Sequence, residues 1–180
     1  MADVWALLAR VGLRCPGPAR PTVGSLDALA DPAATDALAS LLADKLVSLA
    51  TDLVVVWEGL NSAVLGYAVG LRLGAGVTVL SDDEGLVSAA TPARTGTRAV
   101  LVAALTPDAS IARMAASYLE SQGVALVATA TLLARPGDPD RTVTLAELPP
   151  DEPDSGTLPR QGAGQTPSQE PRPAPRQDGR

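Results

Sequence analysis

Chemistry in this 180-residue chain has to come from a short inventory of side chains. Histidine is absent, Cys15 is the sole cysteine and Lys45 the sole lysine. A zinc site, a Cys–His pair or a Ser–His–Asp triad therefore cannot be assembled. An internal disulfide is excluded as well, because it needs two cysteines. What remains is a set of carboxylates, hydroxyls and an amide at turns. Glu58, Asn61 and Ser62 share one turn, Asp82 and Asp83 lie in the acidic run Ser81 to Glu84, and Thr106, Asp108 and Ser110 share a third turn. The first and third of these turns lead into predicted helices, whose free N–H groups hold anions. Asn61 or Ser62 can cap one helix, and Asp108 can cap the other. Asp82 and Asp83, with Glu58, are the ligand type that magnesium or calcium takes. The same run also reads as a solvated turn, or as a surface for a cationic ligand or partner. Lys45 on its helix, and Arg94 and Arg98 beside a Thr-rich loop, read as solvated charges. Trp57, Tyr67 and Tyr118 read as packing residues. Cys15 has no neighbour that would activate a thiol.

Composition narrows the partners. With 14 basic and 20 acidic side chains the net charge is −6. Phosphate neutralisation needs clustered Lys and Arg, so nucleic acid is not an expected partner. Phe is absent, and four scattered aromatics make no base-stacking platform. No run of about 18 apolar residues exists, so no membrane-spanning helix is expected. The apolar stretch from Val4 to Leu13 is interrupted by Arg10 and has no basic leader, unlike a signal peptide. The expected location is the cytoplasm.

These turns must be positioned by the elements between them. Asp3 to Arg10 reads as a short helix, and Cys15 to Pro21 as loop. Asp31-Pro32 opens a helix with an N-cap and a first-turn proline. Leu38, Leu42, Leu46 and Leu49 carry it to about Ala50 at helical spacing. Asp52 to Trp57 is a β-branched run without polar alternation, the mark of a strand buried on both faces. A helix over 63–73 follows, then a strand over 76–80 and an acidic turn over 81–85. Residues 86–97 show no periodicity and read as loop. A third strand over 98–104 precedes a helix with Ile111, Met114, Ala115, Tyr118 and Leu119 on one face, closed by Gly123. Strands follow over 124–133 and 142–145. Alternating strands and helices predict a doubly wound, mainly parallel α/β sheet flanked by helices, with ligands at the strand carboxyl ends. The expected domain is 1–148. Residues 149–180 hold half of the 16 prolines and almost no large apolar residue, and are expected to be a disordered tail.

This order of elements resembles the type I phosphoribosyltransferases, most closely the orotate phosphoribosyltransferases. Three stretches carry the likeness. Leu29-Ala-Asp-Pro-Ala-Ala-Thr-Asp-Ala-Leu-Ala-Ser-Leu-Leu-Ala resembles the helix before the core. The stretch from Asp52-Leu-Val-Val-Val-Trp-Glu-Gly-Leu-Asn-Ser to Leu71-Arg-Leu-Gly resembles the first strand, the pyrophosphate loop and its helix. Arg98-Ala-Val-Leu-Val-Ala-Ala-Leu-Thr-Pro-Asp-Ala-Ser-Ile-Ala resembles the strand and loop that hold phosphoribosyl pyrophosphate.

The resemblance implies nucleotide metabolism, a Rossmann-like fold, magnesium if the site is active, and a homodimer. It also exposes departures. The family ends its third strand with two adjacent acids that hold the ribose hydroxyls, where this chain has Ala103 and Ala104. Two charged hydrogen bonds of roughly 1.5–3 kcal/mol each are thereby missing. Pro107 has no N–H to offer a phosphate. Asp108 places a like charge there; at about 6 Å and an effective dielectric near 20 the repulsion is on the order of 3 kcal/mol. The family's basic residues after the second strand are replaced by Ser81-Asp82-Asp83-Glu84. Its mobile catalytic loop carries a lysine and a histidine, where this chain offers Arg94 and Arg98. Three readings stand: a degenerate member that binds a nucleotide-related small molecule or regulates, a working orotate or nucleobase transferase, and a domain kept for dimerisation.

Overall fold

The computed structural model describes residues 3–13, 24–135 and 142–148. Cys15 and the expected tail, 149–180, lie outside the described residues, as does the proposed boundary at 148. Six strands form one sheet: β1 (Leu53–Trp57), β2 (Gly76–Asp83), β3 (Leu86–Ala89), β4 (Arg98–Leu105), β5 (Ala125–Ala134) and β6 (Thr142–Glu147). Their spatial order is β3-β2-β1-β4-β5-β6, and every pairing is parallel except β2 with β3. The helices are α1 (Val4–Arg10), α2 (Pro32–Leu46), α3 (Leu60–Leu73) and α4 (Ala109–Ser121). The doubly wound, mainly parallel arrangement is the one the sequence predicts.

Strand β1 shows why. Val54 and Val56 are buried in one core with Leu38, Leu42 and Leu46 of α2 and Leu65 and Val69 of α3. Leu53 and Val55 are buried in the other with Ala115 and Leu119 of α4. Because successive side chains point to opposite faces, a strand covered twice must be apolar throughout. The α2 start is as expected: Pro32 is its first residue, and the Asp31 carboxylate accepts from the Ala34 N–H at 2.9 Å. The same carboxylate takes the Arg10 guanidinium at 2.7 Å, tying α1 to α2. Helix α3 sits close to the sheet because it carries glycines there. A Cβ on Gly66 would stand 2.4 Å from Val56 Cγ1, and one on Gly70 2.4 Å from Val77 Cγ2.

Three expectations change. Residues 86–97 are not a free loop: β3 pairs antiparallel with β2 through a two-residue turn, with Asp83 opposite Leu86. Glu84 and Gly85 both have positive φ, 52° and 88°, the twist that two-residue hairpins require. The segment then stays anchored, with the Thr78 hydroxyl donating to the Thr91 carbonyl at 2.9 Å. Aperiodic sequence hid β3 because it is a short edge strand with no face fully buried.

Helix α3 starts at Leu60, before Asn61 and Ser62, with Gly59 (φ 136°) as N-cap and no side-chain cap. Neither Asn61 nor Ser62 is therefore the cap. Tyr67 is also not packed: it is 64% exposed on α3. Trp57 and Tyr118 do pack, partly buried against the α4-side core.

Candidate functional site

The carboxyl edge of the parallel strands gathers the turns after β1, β2, β4, β5 and β6. Glu58 is exposed there, its N–H donating to Leu80 O at 2.7 Å. The chain turns at Gly59 into α3. Asn61, in the first turn, accepts from the Ala28 N–H at 3.1 Å. Its amide oxygen thus positions the segment before α2, where the Thr35 hydroxyl also donates to the Ala28 carbonyl at 2.9 Å. Ser62 is half-buried beside it.

Asp82 and Asp83 end β2. Asp82 accepts from the Gly85 N–H at 2.8 Å, so its carboxylate closes the hairpin. The two are successive in a strand, so their side chains leave opposite faces of the sheet. Among the described residues no group of three or more His, Cys, Asp or Glu side chains is placed to hold a metal ion. That includes the proposed set of Asp82, Asp83 and Glu58.

The turn after β4 is the most built part of the edge. Thr106, Pro107 and Asp108 line a cavity of about 260 Å³ together with Ala109 and Ala112 of α4, Thr129 of β5, Arg135 and Thr142 of β6. Asp108 stands at the α4 N-cap position but its side chain makes no capping bond. The carboxylate instead belongs to the cavity wall. Ser110 is not part of this cavity. It lines a separate groove of about 550 Å³ with Val87, Arg113, Met114, Ser117 and Tyr118. The candidate residues thus fall into three places: Thr106 with Asp108, Ser110 in the groove beside β3, and Glu58, Asn61 and Ser62 on the turn after β1.

Thr129, Arg135 and Thr142 are site residues that the first reading of the sequence missed. The signal was present as alternation. Thr129 and Thr131 on β5 stand opposite Thr142 and Thr144 on β6, so one face of this strand pair is threonine-lined. Thr131 is fully buried and its hydroxyl oxygen has no partner.

Arg98 belongs elsewhere. It starts β4, at the amino edge, and its guanidinium donates twice to the Leu49 carbonyl, at 3.2 and 3.0 Å. Arg94 precedes it on the same side, its carbonyl accepting from Thr97. Neither is on the strand ends that carry the cavity. The carboxyl edge is left with the acids Glu58, Asp82, Asp83, Glu84, Asp108 and Glu147, and with Arg135 as the described base among its strand-end residues.

The fold is that of the type I phosphoribosyltransferases. An adenine phosphoribosyltransferase from Thermoanaerobacter pseudethanolicus matches with a TM-score of 0.61 at 18% identity, covering 78% of this chain and 99% of that one. One from Rhodothermus marinus gives 0.62 at 16% identity, covering 79% and 99%. The orotate phosphoribosyltransferase of Mycobacterium tuberculosis gives 0.59 at 16% identity, covering 81% and 94%. No protein-family model and no curated protein matches the sequence. Adenine and orotate enzymes fit to a similar degree, so the particular likeness to orotate enzymes is not singled out.

Proposed function

We propose that this chain uses the phosphoribosyltransferase fold without the transfer reaction, as a protein that binds a small ligand at the carboxyl edge of its sheet. The observation that carries this reading is the end of β4, where Ala103 and Ala104 stand half-buried. A methyl group accepts nothing from a ribose hydroxyl, and an unpaired polar group at a closed site costs about 1–3 kcal/mol. Two further features agree. The β2–β3 turn is two residues long, which leaves no long loop there to close over a reacting sugar. The edge is rich in carboxylates, which repel a pyrophosphate.

The cavity suits a different ligand. Its volume, about 260 Å³, sits just below the roughly 300 Å³ at which pockets for drug-sized molecules begin. Hydroxyls from Thr106, Thr129 and Thr142, with Asp108 and Arg135 of opposite charge, favour a small polar molecule over a polyanion. The remaining reading is an active nucleobase or orotate transferase using magnesium. Its support is the fold shared with enzymes that carry those names.

Calorimetric titration with phosphoribosyl pyrophosphate and magnesium separates the two. The expected result is no heat from folded protein. Binding tighter than about 100 μM, roughly −5.5 kcal/mol, would put the transferase reading first. The Ala103→Asp/Ala104→Asp variant gives the positive arm: binding that appears only there identifies the alanine pair as the reason for the loss.

A further inference from the structure

Helix α3 carries an apolar stripe that the fold leaves uncovered. Leu60 is 67% exposed, Tyr67 64% and Leu71 66%, with half-buried Val64 between them. At 100° per residue these four positions fall within an arc of about 60° on the helix, opposite the face that packs on the sheet. Leu86, 73% exposed, pairs with Asp83 at the hairpin end, on the α3 side of the sheet and at the edge where α3 begins. Four of the large exposed apolar residues are therefore concentrated around one element. Such concentration on a protein surface marks a binding face.

The rest of the chain has little with which to cover it. Residues 149–180 contain one large apolar side chain, Leu158, and residues 14–23 contain Val23. A second copy of the chain fits by symmetry. The stripe has spacings of four, three and four residues, which read the same in both directions. A two-fold axis between Val64 and Tyr67 sets Leu60 against Leu71 of the second copy and Val64 against its Tyr67. An isologous contact demands this reciprocity.

Charge agrees with the pairing. No charged side chain lies in the stripe, so none meets its own copy at the axis. The antiparallel helices set each positive N-terminal end beside a negative C-terminal end. Glu58, exposed just before α3, comes to the end where the second copy carries Arg72 in its last turn. Arg72 is held there by both oxygens of Asp36, so its charge is fixed at the rim and not in the stripe. We infer that two copies of this chain associate through antiparallel α3 helices, with Leu60, Val64, Tyr67 and Leu71 as the seam.

Light scattering on the full chain tests this. The expected mass at about 100 μM is twice 18.2 kDa. Leu60→Asp/Leu71→Asp should raise the dissociation constant at least about a hundredfold with an unchanged circular dichroism spectrum. A complementation arm covers the case in which that variant misfolds. Tyr67→Glu and Val64→Lys chains should each be weakened as homodimers and should recover a dimer when mixed, because residue 67 of one faces residue 64 of the other. A monomeric wild type, a dimer indifferent to the double variant, or failure of the mixed pair would overturn the inference.

Discussion

Individual side chains in this protein do different work from what their positions suggest. Asn61 is placed as a helix cap or ligand contact by sequence, yet it holds the Ala28 N–H. Asp108 is placed as a cap and instead walls a cavity. Asp31 does what its sequence context predicts. Its acidity is raised first by the Ala34 N–H, with the Arg10 guanidinium helping, so its pKa lies below the usual 3.8. A depressed carboxylate stabilises the fold above the unfolded pKa, and that contribution is lost as pH falls through the lower folded value. Asp31→Asn keeps a capping oxygen and loses the charge. Urea midpoints of wild type and variant should therefore differ at about pH 6 and converge below the folded pKa of Asp31. A difference that persisted unchanged at the acid end would show that the charge is not what stabilises this corner.

At the scale of elements, the site depends on how closely α3 approaches the sheet. Gly66 and Gly70 permit that approach, and the start of α3 carries Glu58, Asn61 and Ser62 into place. Gly66→Ala gains about 1 kcal/mol of helix propensity. Against this, a methyl 2.4 Å from the stiff Val56 side chain must push helix or strand aside, at typically 1–3 kcal/mol. We expect a net loss of about 1 kcal/mol in urea unfolding. A variant as stable as wild type would mean that α3 can lift without consequence. The β2–β3 hairpin is a second such element. Its register gives Asp82 to the turn and Leu86 to the α3 side, so a substitution that broke the Glu84-Gly85 turn would also disturb the face proposed for association.

For the whole molecule, the two cores lie on either side of one sheet and both are complete within the described residues. No core residue comes from 149–180. A chain ending at Leu148 should then unfold at the same urea concentration and with the same slope as the full chain, since the slope follows the area exposed. A lower midpoint would give the last residues a structural role.

Much of this organisation was legible in the sequence. The uninterrupted run from Leu53 to Trp57 could only suit a strand covered on both faces, and that fixed a parallel sheet between helix layers. Asp31-Pro32 marked a helix start because cap chemistry is local. Ala103 and Ala104 were readable as a missing pair of acids for the same reason: the side chains themselves are absent. Other features were settled only by tertiary contact. The edge strand β3 has no periodic signature, because neither of its faces is fully buried and its pairing partner supplies the order. The cavity joins Thr106 and Asp108 to Thr129, Arg135 and Thr142, residues that are neighbours only once β4, β5 and β6 align. Arg98 looked close to the site along the chain but lies at the opposite edge, since a strand carries its first residue a full strand length from its last. Local chemistry and periodicity are written in the order of residues; which residues face a common space is decided by the sheet.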